Sequence, residues 1–345
     1  MAESGAARRA RVRELLAAQP RVPLALLPTP LELLPRLSKE LGGPAIHVKR
    51  DDLTGLAFGG NKTRQLEFGL GDVMRQAPEV LVTGANIQSN WARQSTAAAA
   101  RLGIPIVLVL RNTEMQEIQG NVLLDYWLGA EIRFTSEPDM TLVMRDELDK
   151  VVAELRAGGR HAVKIDPWAP AISLAYVDML VELHEQCEGA GIAPTRIWLA
   201  AAGPTQSGLE LAARLLEWQV DITGVAPLTL TGASMPELIA DTANLAAKLL
   251  GVETRVPAVE VDNRDDQIGP GYARPSPEGL AAMRLAARTD ALLLDPVYTS
   301  KAMAGLIDAI RRGELTERDT VVFVHTGGLP AVFAYRDAIL EMSRA

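Results

Sequence analysis

Short runs of aliphatic and β-branched residues alternate with longer helical patterns through most of this chain. Several of these runs, such as residues 106–110 (IVLVL), carry no polar residue at alternate positions. Uninterrupted apolar runs are typical of strands in parallel sheets that are buried on both faces. The alternation of strands with helices therefore predicts an α/β architecture with parallel sheets. We predict strands at residues 46–49, 80–83, 106–110, 132–134, 162–165, 197–201, 222–225, 258–261 and 321–325.

The pattern is interrupted by glycine and proline clusters at residues 55–60 and 166–170. A chain of 345 residues is long enough to form two hydrophobic cores. We therefore expect a larger α/β domain made of residues 1–54 and 166–345, with a smaller α/β domain of residues 55–165 inserted into it. A cleft between two such domains is the expected place for a ligand.

Composition excludes several classes of function. The net charge is −8, which does not favour nucleic acid or an anionic membrane as a partner. The only cysteine, Cys187, excludes an internal disulfide and suits a reducing compartment. Four scattered histidines and one cysteine argue against a structural zinc site. The Ala/Arg-rich N-terminal stretch contains Glu3 and Glu14, which favours a helix over a transit peptide. No stretch has the roughly 20 apolar residues of a membrane span. We expect a soluble cytoplasmic protein.

The most informative segment is KRDDLTGLAFGGNKTRQLEFGL, residues 49–70. The glycine pair allows tight backbone geometry, and Lys62 then opens a helix, predicted over residues 62–76, for which Asn61 is the predicted N-cap. A nucleotide-binding P-loop is rejected, because Asn61 places the lysine one residue out of register with Gly55 and Gly60. On these residues alone, an ordinary helix with a lysine in its first turn remains an alternative.

Three further segments share the pattern of strand, short polar or glycine-containing turn, and helix start: LVTGANIQSNWARQ, IWLAAAGPTQSGLELAARLL and VVFVHTGGLPAVF. The free N–H groups at a helix N-terminus favour a bound anion. In the second segment we expect the helix to begin near Gln206. Each pattern alone is equally well explained by ordinary helix capping.

Taken in order, these segments resemble the 1-aminocyclopropane-1-carboxylate deaminase / D-cysteine desulfhydrase family of fold-type II pyridoxal-phosphate enzymes. The resemblance runs from Pro28 to Arg336. It implies a tryptophan synthase β-like fold of two three-layer α/β/α domains, pyridoxal 5′-phosphate as cofactor, a small amino acid as substrate, and a homodimer. The segments that carry it are DDLTGLAFGGNKTR, GANIQSN, LGAEIRF, GPTQSG, GPGYARPSPEG, LLLDPVYTSKAMAGL and HTGGLPA.

The resemblance also implies roles for individual residues, with Lys62 as the Schiff-base lysine. The residues expected to act on the substrate are Lys62, Ser89, Tyr272 and Tyr298. Those expected to hold the cofactor are Lys62, Asn90 at the ring oxygen, Gly203, Pro204 and Thr205 at the phosphate, and Thr299 and Thr326 near the pyridine ring. Substrate contacts are expected from Gln88, Ser89, Asn90 and Trp91.

The residue types agree with α,β-elimination from a small β-substituted amino acid such as D-cysteine, releasing a 2-oxo acid and ammonia. A freed Lys62 amine can act as the base at the substrate Cα, while the cofactor accepts the electrons. The deaminase branch has an acid after D-P-V-Y, where this chain has Thr299, and Leu where it has Thr326. A neutral hydroxyl is expected to hold the ring nitrogen less firmly protonated, which favours elimination. Ring-opening deamination, β-replacement, sulfo-lyase chemistry and a catalytically silent binding protein remain alternatives.

The chain departs from the family pattern at four places: Trp91, residues 166–170 (DPWAP), Pro204 and Gln65. We hypothesise that Trp91 and Trp168 reshape the substrate pocket. The alternative is that Trp91 packs within the helices and Trp168 lies on the surface. Pro204 removes a backbone N–H and Gln65 removes a positive charge near the phosphate, so weaker cofactor holding is expected.

Overall fold

The computed structural model describes residues 3–112, 117–230, 232 and 234–344, and these form two β-sheets surrounded by helices. The strands, in chain order, are β1 (Leu31–Leu33), β2 (Ala45–Lys49), β3 (Val80–Asn86), β4 (Ile106–Arg111), β5 (Glu131–Thr135), β6 (Ala162–Lys164), β7 (Arg196–Ala200), β8 (Asp221–Val225), β9 (Asp262–Arg264) and β10 (Thr320–Val324).

Helices connect most of the strands and cover both faces of each sheet. In chain order they are α1 (Gly5–Ala17), α2 (Pro35–Leu41), α3 (Asn61–Gly69), α4 (Gly71–Arg75), α5 (Asn90–Leu102), α6 (Gly120–Trp127), α7 (Met140–Leu142), α8 (Leu148–Ala157), α9 (Leu174–Ala190), α10 (Pro204–Leu215), α11 (Met235–Leu249), α12 (Pro277–Asp290), α13 (Thr299–Arg311), α14 (Ala331–Ala334) and α15 (Arg336–Arg344).

The two sheets are almost entirely parallel, as the apolar runs predict. The larger sheet has the strand order β1-β2-β10-β7-β8-β9, and the smaller has β5-β4-β3-β6. The edge pair β1–β2 is antiparallel, while the other described strand pairs are parallel. A single antiparallel edge strand is common on sheets of this kind.

Each sheet is the middle layer of three. On β7, Ile197 and Leu199 pack with α1, α9, α10 and α11, whereas the alternate residue Trp198 packs with α2, α12 and α13 on the opposite face. On β3, Leu81 faces α3 and α5, while Val80 and Val82 face α8. Side chains alternate between the faces of a strand, so apolar residues at every position require helices on both sides. The predicted fold class is confirmed.

Three local predictions are wrong. At residues 258–261, Ala258–Glu260 form a 3-10 turn, in which Val259 is 94% exposed, and the strand begins only at Asp262. The N-cap of α3 is Gly60, and Asn61 is the first helical residue. The helix predicted at 62–76 is divided at Leu70 into α3 and α4. The Pro20 carbonyl lies where a side chain at Gly71 would project, so glycine is required there. The edge strand β1 was not predicted.

The strands of the smaller sheet all lie between residues 80 and 164, and those of the larger sheet lie outside that range. This grouping supports the predicted division into residues 55–165 and the rest, whose boundaries remain a prediction. Within the described residues, no helix is long and apolar enough to cross a membrane.

Candidate active site

A strained loop places Lys62 at the start of α3. Ala57, Phe58, Gly59 and Gly60 all have positive φ, which is unfavourable for residues with a side chain. The Gly60 N–H donates to Thr54 Oγ1 at 2.8 Å. A Cβ on Gly60 would lie 3.0 Å from the Thr326 carbonyl oxygen, so glycine is required for this close approach.

The same loop packs against the segment that follows β10. A Cβ on Gly327 would lie 2.6 Å from the Cα of Gly60, so the two glycine pairs meet backbone to backbone. The Asn61 N–H donates to the Thr326 carbonyl oxygen at 3.0 Å. Two of the segments that the sequence singled out, GGNK and HTGG, therefore lie side by side.

Lys62 is partly buried in the first turn of α3. Its Nζ donates a hydrogen bond to Gln65 Oε1 at 2.9 Å. Burial lowers the pKa of Lys62 to about 8, because a protonated amine loses solvation there. A substantial share of this amine is therefore neutral near physiological pH, which a nucleophile or base requires.

The turn after β7 lies next to this lysine. Gly203, with φ of 115°, is the N-cap of α10, and Pro204 and Thr205 are its first two residues. Thr205 Oγ1 accepts hydrogen bonds from Asn61 Nδ2 and from Gln65 Nε2, both at 3.1 Å. The predicted phosphate turn and the predicted Schiff-base lysine are thus joined through two side chains of α3.

A buried ionic network holds the rest of α3. Arg64, 1% exposed, donates to Asp51 Oδ1 at 3.0 Å and to Glu182 Oε1 at 2.9 Å. Lys49 pairs with Glu182 from the end of β2. Tyr176 donates to Asp51 Oδ2 at 2.8 Å. Burial opposes ionisation of Glu182, but the charges of Arg64 and Lys49 outweigh it and lower the pKa of Glu182.

The loop after β3 positions Ser89 and Asn90 at the start of α5. Ser89 is the N-cap, and its Oγ accepts from the Trp91 N–H at 3.1 Å. Asn90 Oδ1 accepts from Asn121 Nδ2 at 3.1 Å, which orients the Asn90 amide. The Gln88 side chain instead donates to the Gln119 carbonyl at 2.8 Å and accepts from the Asn121 N–H at 2.8 Å. The contacts of Gln88 bind one loop to another, so its role at the substrate remains a prediction.

Tyr272 and Tyr298 form a pair, with a hydrogen bond of 2.5 Å between their hydroxyl oxygens. Burial raises the pKa of Tyr272 and raises that of Tyr298 well above its usual range, so both phenols stay protonated. Tyr272 also has a hydrogen bond to Asn86 at the end of β3. Because the Ser89 N–H donates to the Asn86 carbonyl at 3.0 Å, the tyrosine pair is connected to the Ser89 loop.

The Thr299 hydroxyl has a buried carboxylate as its partner, which the sequence argument did not include. Thr299 Oγ1 donates to Asp295 Oδ1 at 2.7 Å and accepts from the Asp295 N–H at 2.8 Å. Because the Thr299 hydroxyl already donates its hydrogen bond to Asp295, it can only accept a hydrogen bond from another group. A hydrogen-bond acceptor beside the ring nitrogen favours the protonated form of that nitrogen. The expectation that a neutral hydroxyl leaves the ring nitrogen less firmly protonated therefore loses its support.

The two tryptophans lie in different environments. Trp91 is 4% exposed in the core between the smaller sheet and α5, and its Nε1 donates to Thr83 Oγ1 at 2.9 Å. These contacts support the alternative that Trp91 packs within the helices, and its contact with the substrate remains a prediction. Trp168 is 42% exposed, and a Cβ on Gly203 would lie 2.8 Å from its Cζ3 atom. Its ring therefore covers one side of the Gly203 turn.

Comparison with known proteins decides the family. The family model described as pyridoxal-phosphate dependent enzyme matches residues 22–327. This chain belongs to that family. The match includes Gly59, Gly60, Gly327 and the Gly203 turn, so the two segments that meet at Lys62 lie within it.

Among curated relatives, D-cysteine desulfhydrase from Klebsiella pneumoniae (strain 342) is 37% identical over 323 residues, covering 92% of this chain and 96% of the relative. A crystal structure of an ACC deaminase homologue has a TM-score of 0.87 and 34% identity, covering 96% of this chain and 99% of that one. Threonine deaminase isoform 2 from Solanum lycopersicum, at a TM-score of 0.66 and 15% identity, shares the fold. The predicted resemblance is confirmed.

The residues of this pyridoxal-phosphate dependent enzyme fit its cofactor. Lys62 offers a partly buried amine with a lowered pKa, as bonding to an aldehyde requires. The first turn of α10 offers free N–H groups and the Thr205 hydroxyl to a phosphate. Within the described residues, no cluster of acidic, histidine or cysteine side chains could hold a metal ion.

Sequence reasoning missed several residues that shape this site. Asn121 and Asn86 orient the Ser89 loop; Asn86 lies within the quoted segment GANIQSN, whereas no local motif marks Asn121. Asp295 lies within the quoted segment LLLDPVY, so its position two residues before a buried valine could have suggested a cap for α13. Asp51 and Arg64 also lie within quoted segments, but Glu182, the second carboxylate that binds Arg64, is more than 100 residues away in the sequence.

Proposed function

We propose that this enzyme catalyses α,β-elimination from a small β-substituted amino acid and releases a 2-oxo acid and ammonia. The observation that carries the proposal is the Lys62 amine. It lies at the GGNK turn with one neutral hydrogen-bond partner, and burial lowers its pKa to about 8. The family membership and the D-cysteine desulfhydrase relative support the same reaction class.

Lys62 would bind the cofactor and, once displaced by the substrate, take the proton from the substrate Cα. Pyridoxal phosphate, when bound, supplies an electron sink for chemistry at that carbon. Gly203, Pro204 and Thr205 would hold its phosphate, and Asn90 would contact its ring oxygen. Thr299 and Thr326 would lie near the ring nitrogen, where Thr299 can act only as an acceptor.

Ser89 and Asn90, at the N-terminus of α5, would bind the substrate carboxylate, since the N-terminus of a helix favours an anion. Tyr272 and Tyr298 would face the β-substituent. Their mutual hydrogen bond uses one of the two phenolic protons, so the pair retains one O–H that can donate outward. A donor held beside the leaving group stabilises the charge that develops on it.

A visible absorption spectrum tests the cofactor bond. We expect the purified chain to acquire the absorption band of a bound cofactor when incubated with pyridoxal phosphate, and Lys62→Ala to lack it. Lys150→Ala, which removes a solvent-exposed lysine, is the matched control and should behave like the wild type. A wild type without a band, or a Lys62→Ala variant with a normal one, would contradict the proposal.

A substrate panel tests the reaction class. D- and L-cysteine, other β-substituted alanines and 1-aminocyclopropane-1-carboxylate would be assayed for release of keto acid and ammonia. We expect turnover of β-substituted amino acids to exceed ring opening. A marked preference for the cyclopropane substrate would favour the deaminase alternative, and product formation only with an added nucleophile would favour β-replacement or sulfo-lyase chemistry.

We further propose a cytoplasmic homodimer. The single cysteine supports a reducing compartment. Exposed apolar residues on α6, among them the 87% exposed Trp127, support burial of that face against a second copy. Sedimentation equilibrium tests the dimer, and a monomer at micromolar concentration would contradict it.

A further inference from the structure

Gln65 occupies a central place in the site, although it was noted in the sequence only as a missing positive charge. Its side chain is fully buried, at 0% exposure. Its Oε1 accepts from Lys62 Nζ at 2.9 Å, and its Nε2 donates to Thr205 Oγ1 at 3.1 Å. One neutral amide therefore links the lysine to the phosphate turn.

The contacts of Thr205 decide what its hydroxyl can do. A hydroxyl has two lone pairs and one proton. Asn61 Nδ2 and Gln65 Nε2 both donate to Thr205 Oγ1, so they occupy the two lone pairs. The proton is left to donate elsewhere, and Thr205 is the second residue of α10, where backbone N–H groups lack partners within the helix. The two amides thus make Thr205 a hydrogen-bond donor to an anion at this turn.

The neutrality of Gln65 also matters to Lys62. Burial is the cause that lowers the pKa of Lys62 to about 8, and the amide adds no charge to that balance. A lysine at position 65 would place a second cation beside the Lys62 amine, disfavouring its protonated form. It would also have no lone pair to accept the Lys62 N–H while protonated.

We propose that Gln65 is a positioning residue that connects the two ends of the cofactor site. Its carbonyl oxygen accepts a hydrogen bond from the Lys62 amine whenever that amine is free. Its NH₂ group and the Asn61 amide donate to Thr205 Oγ1, so the Thr205 hydroxyl is left to donate its own hydrogen bond to the phosphate. This inference rests on the proposed function, because it requires pyridoxal phosphate to bind at Lys62.

The first test measures cofactor affinity. The cofactor is removed from the full-length protein and restored by titration, and the visible band gives the dissociation constant. Gln65→Leu removes both hydrogen bonds, and we expect the dissociation constant to rise about tenfold, the usual effect of losing one net hydrogen bond. Asn244→Leu is the matched control, because the Asn244 amide on α11 also makes two hydrogen bonds, both to the backbone of Val256. The control should leave the constant unchanged.

The second test measures the pH at which the Lys62 amine becomes reactive in cofactor-free protein, by amine labelling and mass spectrometry of its peptide. Gln65→Glu should raise this midpoint by about one pH unit or more, since a carboxylate favours the charged amine. Gln65→Lys should lower it while holding the cofactor at least as tightly as the wild type. Shifts of opposite sign would show that the side chain at position 65 lies beside the Lys62 amine, as the hydrogen bond between them requires.

The inference is overturned if Gln65→Leu and Asn244→Leu have equal dissociation constants, or if the Glu and Lys variants at position 65 shift the midpoint in the same direction. Either result would leave the proposed function intact, provided that the wild type still shows the cofactor band. A wild type without that band would remove the proposed function and this inference together.

Discussion

The buried ionic network beneath α3 gives the sharpest prediction for stability. Arg64 and Lys49 face Asp51 and Glu182, so the four charges balance with almost no contact with solvent. Arg64→Met leaves one negative charge in excess, and Asp51→Asn leaves one positive charge in excess. Removing one partner of a buried pair costs about 3–5 kcal/mol, because the remaining charge is uncompensated. We expect each single variant to lose that much free energy of unfolding.

The double variant Arg64→Met/Asp51→Asn removes one charge of each sign and leaves the Lys49–Glu182 pair. Balance is restored, so its loss should be smaller than the sum of the two single losses by about 2–3 kcal/mol, at the upper end of coupling energies for residues in contact. Urea unfolding of cofactor-free protein measures these differences without a contribution from cofactor binding.

An exposed pair on the next helix provides the control. Arg75 and Asp72 are separated by 3.3 Å, with side chains 68% and 70% exposed. Arg75→Met should change the free energy of unfolding by less than about 0.5 kcal/mol, because solvent screens the pair. Equal losses for Arg64→Met and Arg75→Met would refute the argument, as would strict additivity in the double variant.

Four further predictions concern single side chains. Burial raises the pKa of Asp125 to about 7, so between about pH 4 and pH 7 the folded state keeps the Asp125 proton while the unfolded state loses it, and the wild type becomes less stable as the pH rises. Asp125→Asn has no such proton to lose, so on going from pH 5 to pH 8 it should gain a few kcal/mol of stability relative to the wild type. An equal difference between the two proteins at both pH values would contradict this. Tyr298→Phe should lower kcat about 100-fold with an unchanged cofactor dissociation constant, and an unchanged kcat would exclude a role in proton donation. Cys187, 2% exposed and with its pKa raised by burial to about 11, should resist thiol reagents at pH 8, which rapid labelling in intact-mass measurements would disprove. Trp168→Ala should speed cofactor loss on dialysis, because its ring covers Gly203, whereas Trp127→Ala should not; equal rates would contradict that role.

The strand pattern could be predicted from the sequence because its cause is local. A run such as IVLVL in β4 is buried on both faces, and burial on both faces requires apolar residues at every position. The strand predicted at residues 258–261 is wrong because the prediction used composition alone: AVEV has the composition of a strand, but Val259 lies in an exposed turn. Periodicity reports composition, and only packing determines which short apolar runs pair with a neighbour.

The segments of the site were predictable, but the partners of individual side chains were not. Glycine pairs and helix starts are visible in GGNK and HTGG, because glycine is needed where two backbones meet. The environment of Trp91 depends on how α5 packs on the smaller sheet, which its own sequence does not encode. Likewise, the partner of Thr299 is set by the cap of α13, and that contact reverses what a hydroxyl beside the ring nitrogen would imply.

The residues that hold α3 in place are different from the residue that contacts the Lys62 amine. Around Lys62, the backbone is fixed by the Thr326 carbonyl, and Arg64 fixes the helix through two carboxylates. Among the residues that the structure describes, the lysine amine has its hydrogen bond with the neutral amide of Gln65. Because a carboxylate placed there would raise the pKa of Lys62 and a cation would lower it, a neutral partner leaves burial to set the value. Strong ion pairs can therefore order the helix without shifting the protonation of the group on which the chemistry depends.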